Sequence, residues 1–162
     1  MTLLLAMLIL AGRPNTAPLV NEATIEAPTG QVWAAFTTKS GIESWMVAHT
    51  EIDLRVGGDW RTHYRKEGVI GDEGTIGHKI LSFDPERMFS FRTVKTPKGF
   101  PFVEAMKSMW TVIYFEPLGD TKTKVTVRCM GYTEDEESQK MRAFFERGNK
   151  ITVDSLAAHF KK

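Results

Sequence analysis

The stretch TEDEESQKMRAFFERGNKITVDSLAAHFKK, Thr133–Lys162, carries the clearest periodic signal in the chain. Met141, Phe144, Phe145, Gly148, Ile151, Thr152, Ser155, Leu156, His159 and Phe160 recur at the 3.6-residue spacing of one helix face. Asp135, Glu136 and Glu137 stand in the first turn and Lys161 and Lys162 at the end, the charges a helix dipole favours at each terminus. Thr133 and Glu136 have capping-box spacing, which opens the helix at Thr133. A long helix with one apolar face needs an apolar surface to lie on, and the preceding chain supplies it.

Between His49 and Met130 the period falls to two, in segments at Glu51 to Arg55, Asp59 to Lys66, Glu73 to Phe83, Met88 to Lys95, Ser108 to Glu116 and Lys122 to Met130. The dividers at Gly57-Gly58, Gly68 to Gly74, Asp84-Pro85-Glu86 and Pro117 to Asp120 are short enough for hairpins, so the strands form an antiparallel meander. Thr96 to Ala105, with Phe100, Phe102 and two prolines, is an insertion that either closes over a cavity mouth or packs on the sheet edge. Ahead of the meander, Val20 to Ala27 is extended. Val32, Trp33, Phe36 and then Ile42, Trp45, Met46 mark two short helices separated at Ser40-Gly41. The class is α+β: a curved antiparallel sheet of about seven strands, two short helices after the first strand, and a long C-terminal helix on the concave face.

At 162 residues the chain can bury one sizeable core. Its 21 basic and 20 acidic residues leave a net charge of +1, too small a field to draw nucleic acid or anionic lipid. Residues 1–11 are apolar except for Thr2, too short to span a bilayer, and read as the core of a signal peptide although no Lys or Arg precedes them. Cleavage near Leu10-Ala11-Gly12 or Asn15-Thr16-Ala17 would export a domain covering 19–162, to the periplasm or beyond; a retained segment would leave it cytoplasmic. The single Cys129 forms no internal disulfide and reads as a buried structural thiol.

Alternation places Trp60, Thr62 and Tyr64 on one strand face, Phe89 and Phe91 on another, and Trp110, Val112 and Tyr114 on a third, with Phe144, Gly148 and Ile151 of the helix opposite. Such aromatics either fill a core or line a pocket; several Trp and Tyr together favour a cavity with polar content, because buried N–H and O–H groups need partners. Gly148 inside a helix either tolerates packing or admits a close approach of strand or ligand. The histidines at 49, 63, 78 and 159 match no zinc spacing, and no Walker loop, GxGxxG, GxSxG, HExxH or CxxC occurs, so neither metal nor cofactor is expected.

Several phrases resemble the Hsp90-ATPase-activator-homologue branch of the SRPBCC superfamily, which also holds START lipid-transfer domains and polyketide cyclases. They are Ile25-Glu26-Ala27-Pro28, Val32-Trp33-Ala34-Ala35-Phe36-Thr37, Trp45, Asp53-Leu54-Arg55-Val56-Gly57-Gly58-Asp59-Trp60, Gly74-Thr75-Ile76, Ile80-Leu81-Ser82-Phe83-Asp84-Pro85-Glu86-Arg87-Met88 and the Leu156 region, in order over residues 20 to 160. The resemblance implies a helix-grip fold with a cavity between sheet and long helix. The apolar N-terminus and the Thr96 to Ala105 insertion depart from the common pattern.

The leading expectation is a non-enzymatic binder or carrier of a small hydrophobic molecule, lipid or polyketide-like. Its wall is Trp45, Trp60, Tyr64, Phe91, Trp110, Tyr114, Phe144 and Gly148. A cyclase- or hydrolase-like enzyme in the same cavity is the alternative, with His78 or Tyr64 moving protons. A chaperone-associated interaction module is the alternative that the resemblance suggests. The oligomeric state, monomer or dimer, stays open.

Overall fold

The structure, a computed structural model, describes residues 14–161; the expected signal-peptide core lies outside them. Strand β1 (Leu19–Ile25) leads into α1 (Thr29–Thr37) and α2 (Lys39–Trp45). The meander follows as β2 (His49–Ile52), β3 (Asp59–His63), β4 (Ile76–Asp84), β5 (Met88–Lys95), β6 (Trp110–Pro117) and β7 (Thr123–Met130), and α4 (Glu136–His159) closes the chain. The seven strands form one antiparallel sheet in the order β1-β7-β6-β5-β4-β3-β2, so β1 sits beside the last strand and the rest pair with their chain neighbours. This is the curved sheet and closing helix that the periodicity predicts. Curvature has a local cause in β4, where the register against β5 shifts between Gly77 and His78 and again between Ile80 and Ser82.

Several boundaries differ from the sequence reading. The break between the short helices falls at Thr38, whose hydroxyl accepts from the Gly41 amide and caps α2. Strand β3 ends at His63 and β4 begins only at Ile76, because the residues between are clipped into a loop: Asp72 accepts hydrogen bonds from the Val69 and Gly74 amides and reaches Nε2 of the buried His63 at 3.1 Å. The cap of α4 is Asp135, not Thr133: its carboxylate accepts from the Ser138 amide at 2.9 Å, while Ser138 Oγ accepts from the Thr133 amide. The insertion contains a short helix, α3 (Val103–Met106), whose Glu104 and Ala105 amides donate to the Glu137 carboxylate of α4.

The core falls into two clusters. One gathers Ile25, Val32, Phe36, Ile42, Trp60, Phe89, Phe115, Val125 and Leu156 beneath α1, α2 and the end of α4. The other gathers Leu19, Met106, Met109, Cys129, Tyr132 and Met141 beneath α3 and the start of α4. Val127 packs against both. Two clusters on one concave sheet leave space between them. Among the described residues, no helix is long and apolar enough to cross a membrane.

Candidate functional site

That space is a cavity of about 450 Å³, within the range that holds a drug-sized ligand. Its sheet wall comes from Trp60, Thr62 and Tyr64, from Ile76 and His78, from Phe91 and Thr93, from Thr111 and Ile113, and from Val127 and Cys129. Phe144, Phe145, Gly148, Asn149, Thr152 and Leu156 of α4 face them; Phe36, Trp45 and Met46 close one end, and Thr96, Pro97, Phe100, Met106 and Met109 the other. The most exposed aromatics of the lining, Tyr64 at 62% and Phe144 at 46%, mark its mouth.

Of the residues expected as the wall, Trp45, Trp60, Tyr64, Phe91, Phe144 and Gly148 line the cavity. Trp110 and Tyr114 do not. They point to the outer face of the sheet, 39% and 44% exposed, and the inward residues of β6 are Thr111, Ile113 and Phe115. Both faces of β6 are apolar, so alternation does not fix its phase. Pairing does, since Phe89 stands opposite Ile113 and Val125 opposite Phe115, and burying Phe115 in the core sends Trp110 and Tyr114 outward. Ile151 is likewise 66% exposed, and Thr152 takes the inward position.

The polar groups of the wall divide into spent and unspent. The Trp60 indole donates to Thr50 Oγ1 at 3.1 Å, and Thr50 donates on to the Arg61 carbonyl. The Trp45 indole donates to the Ala35 carbonyl at 2.9 Å, and Thr152 to the Gly148 carbonyl at 3.0 Å. His78 is held between Trp60, whose ring centroid lies 4.6 Å away, and Phe91 at 5.1 Å edge to face. Its Nδ1 lies 3.1 Å from Thr93 Oγ1, and burial pushes its pKa down to about 3, so the ring is neutral at ordinary pH. Cys129 is a buried thiol as the sequence suggested, but it faces the cavity: Asn149 Nδ2 donates to its sulfur at 3.2 Å, and burial pushes the thiol up, away from the reactive thiolate. Sequence reasoning missed Asn149, Thr111 and Cys129 as lining. Their signal was present in the inward alternation of Val125, Val127 and Cys129 and in the position of Asn149 beside Gly148. The insertion both lines and covers: Phe100 contributes to the wall, and Phe100 and Phe102 pack on Phe144 with centroids 6.2 and 5.8 Å apart.

A family model described as Activator of Hsp90 ATPase homolog 1-like protein matches residues 26–161, which takes in everything from the end of β1 to the end of α4. The chain belongs to that family. A search of curated proteins finds no match. Among solved structures, a Mesorhizobium loti protein superposes with a TM-score of 0.69 at 15% identity, over 89% of this chain and 96% of its own. The Aha1 dimer from Colwellia psychrerythraea also gives 0.69 at 15% identity, over 88% and 95%. Norcoclaurine synthase from Thalictrum flavum, solved in complex with dopamine and hydroxybenzaldehyde, gives 0.61 at 11% identity, over 90% and 87%. At these identities the likenesses show the fold. This member of the Activator of Hsp90 ATPase homolog 1-like family therefore has the helix-grip architecture, with a cavity between its sheet and α4.

Proposed function

We propose that the protein binds and carries a small, largely apolar molecule in the cavity between the sheet and α4. The observation that carries this reading is the lining itself: aromatic and aliphatic walls around about 450 Å³, with a few hydrogen-bonding groups and no Lys, Arg, Asp or Glu among the described lining residues. Apolar burial gives such a ligand its affinity, and the sparse polar groups fix its orientation. Norcoclaurine synthase, of the same architecture, is solved in complex with dopamine and hydroxybenzaldehyde, which supports a small-molecule ligand without naming the one bound here. Proton transfer by His78 is disfavoured by its burial, which pushes its pKa down to about 3, whereas a general base works best with a pKa near the working pH.

The test is titration of the full chain with the uncharged fluorescent probe N-phenyl-1-naphthylamine. Saturable binding of one probe per chain is expected, abolished by Gly148→Leu, which fills the cavity from α4, and unchanged by Trp110→Ala on the outer face. Absence of saturable binding to the unaltered chain, or equal binding by Gly148→Leu, overturns the reading.

A further inference from the structure

We infer that the cavity selects an uncharged molecule, otherwise apolar, whose carbonyl or hydroxyl group hydrogen-bonds Nε2 of His78. The inference rests on the binding reading above and narrows it to a ligand class.

Charge is the first constraint. A carboxylate or ammonium group entering this cavity gives up its hydration and meets no side chain of opposite charge among the described lining residues. The titratable groups that face the space are His78, Tyr64 and Cys129. A phenol is uncharged at neutral pH, burial pushes the Cys129 thiol further from ionisation, and burial likewise keeps the imidazole neutral. The wall therefore offers dipoles and no formal charge.

Orientation is the second. Both indole N–H groups of the wall and the Thr152 hydroxyl proton are donated inside the protein, so none of these three donors remains for a ligand. His78 differs. Trp60 and Phe91 fix the plane of its ring, Thr93 takes Nδ1, and Nε2 makes no hydrogen bond with any described residue. His78 lines the cavity and its Nε2 stays accessible there, so a ligand group placed beside it can take the position a water would otherwise fill. Which tautomer is present depends on the proton shared with Thr93. With Nδ1 accepting, Nε2 donates to a carbonyl or hydroxyl oxygen; with Nδ1 donating, Nε2 accepts from a hydroxyl. Either way the matching group is neutral, and the aromatic wall takes the rest of the molecule.

The experiment uses four ligands of one shape at pH 7, each displacing N-phenyl-1-naphthylamine: 2-acetylnaphthalene, its alcohol 1-(2-naphthyl)ethanol, 2-ethylnaphthalene, which lacks the oxygen, and 2-naphthoate, which is an anion. The naphthoate is expected to bind ~100-fold or more weakly than the ketone, given the cost of an unpaired buried charge. In His78→Leu the ratio of ketone or of alcohol to ethyl affinity should fall about tenfold, the size of one hydrogen bond. The infrared carbonyl band of the bound ketone, read on the unaltered chain, should lie below its position in hexane, and this arm holds even if the variant does not fold. Naphthoate binding as tightly as the ketone overturns the charge selection. An unshifted band, together with an affinity ratio to the ethyl compound that His78→Leu leaves unmoved for the ketone and equally for its alcohol, removes His78 as the anchor, leaving water as its partner. Failure of the probe and of all four ligands to bind would instead overturn the binding reading itself, a result separate from the others.

Discussion

His78 shows how one residue couples the cavity to stability. Trp60 and Phe91 cover its ring, Thr93 takes Nδ1, and burial brings its pKa to about 3 against roughly 6.5 in the unfolded chain. The unfolded chain thus accepts a proton that the native state refuses. Stability from this group is complete above about pH 6.5 and falls as the pH drops towards 3, with a limiting slope of about 1.4 kcal/mol per unit. Carboxylates held low by a lysine hydrogen bond, such as Glu43 by Lys39 and Asp59 by Lys79, lose their contribution only nearer their own range, below about pH 4.5. Urea denaturation at pH 7 and pH 5 should therefore show a larger loss for the unaltered chain than for His78→Leu; equal losses would mean that the ring is not desolvated. Gly148 is the complementary case. A Cβ there meets nothing within 4 Å, so no close approach demands glycine, and the residue faces the cavity. Glycine inside a helix costs about 1 kcal/mol relative to alanine. Gly148→Ala should raise stability by about 0.5–1 kcal/mol in denaturant while weakening probe binding, and a destabilised variant would show that the space is needed for packing. In the sequence, Gly148 announces itself only as an anomaly in a helical pattern, because what it faces is set by other elements.

Among the elements, α4 depends most on its first turn. Asp135 accepts from the Ser138 amide, Ser138 accepts from the Thr133 amide, and Glu137 holds the first amides of α3. Asp135→Ala should cost about 1 kcal/mol, the usual worth of an N-cap, with Thr133→Ala costing less; thermal or urea unfolding orders the two. The capping signal was legible, but three polar residues within six positions each offer a cap, and the chain's exit from β7 decides which is used. Strand β6 poses the same problem for a sheet. Trp110, Val112 and Tyr114 on one parity and Ile113 and Phe115 on the other give no binary pattern, so neighbouring strands set the phase. Where one parity is plainly more apolar, as in β3 and β5, the inward residues Trp60 and Phe91 could be read directly.

For the molecule as a whole, α4 packs chiefly on β1 and touches α3 and α2, and the cavity separates its middle from the β3 to β5 side. The sheet should therefore be unevenly stable. Amides of β2 and β3, at the edge remote from β1, are expected to exchange with deuterium sooner than those of β6 and β7, and probe binding should slow exchange at β3 and β4 more than at β1. Uniform exchange across the sheet, or protection confined to the outer face, would contradict this picture.

By itself the sequence determined the α+β class, the order of the elements and the family resemblance, because periodicity, turn residues and short phrases act over a few neighbouring positions. Tertiary structure decided the rest: the separation of the core into two clusters, the cavity between them, the outward turn of Trp110 and Tyr114, and the convergence of His78, Asn149 and Cys129. Those features depend on strand phase and on the angle at which α4 meets the sheet, and both are fixed by packing between residues far apart in the chain.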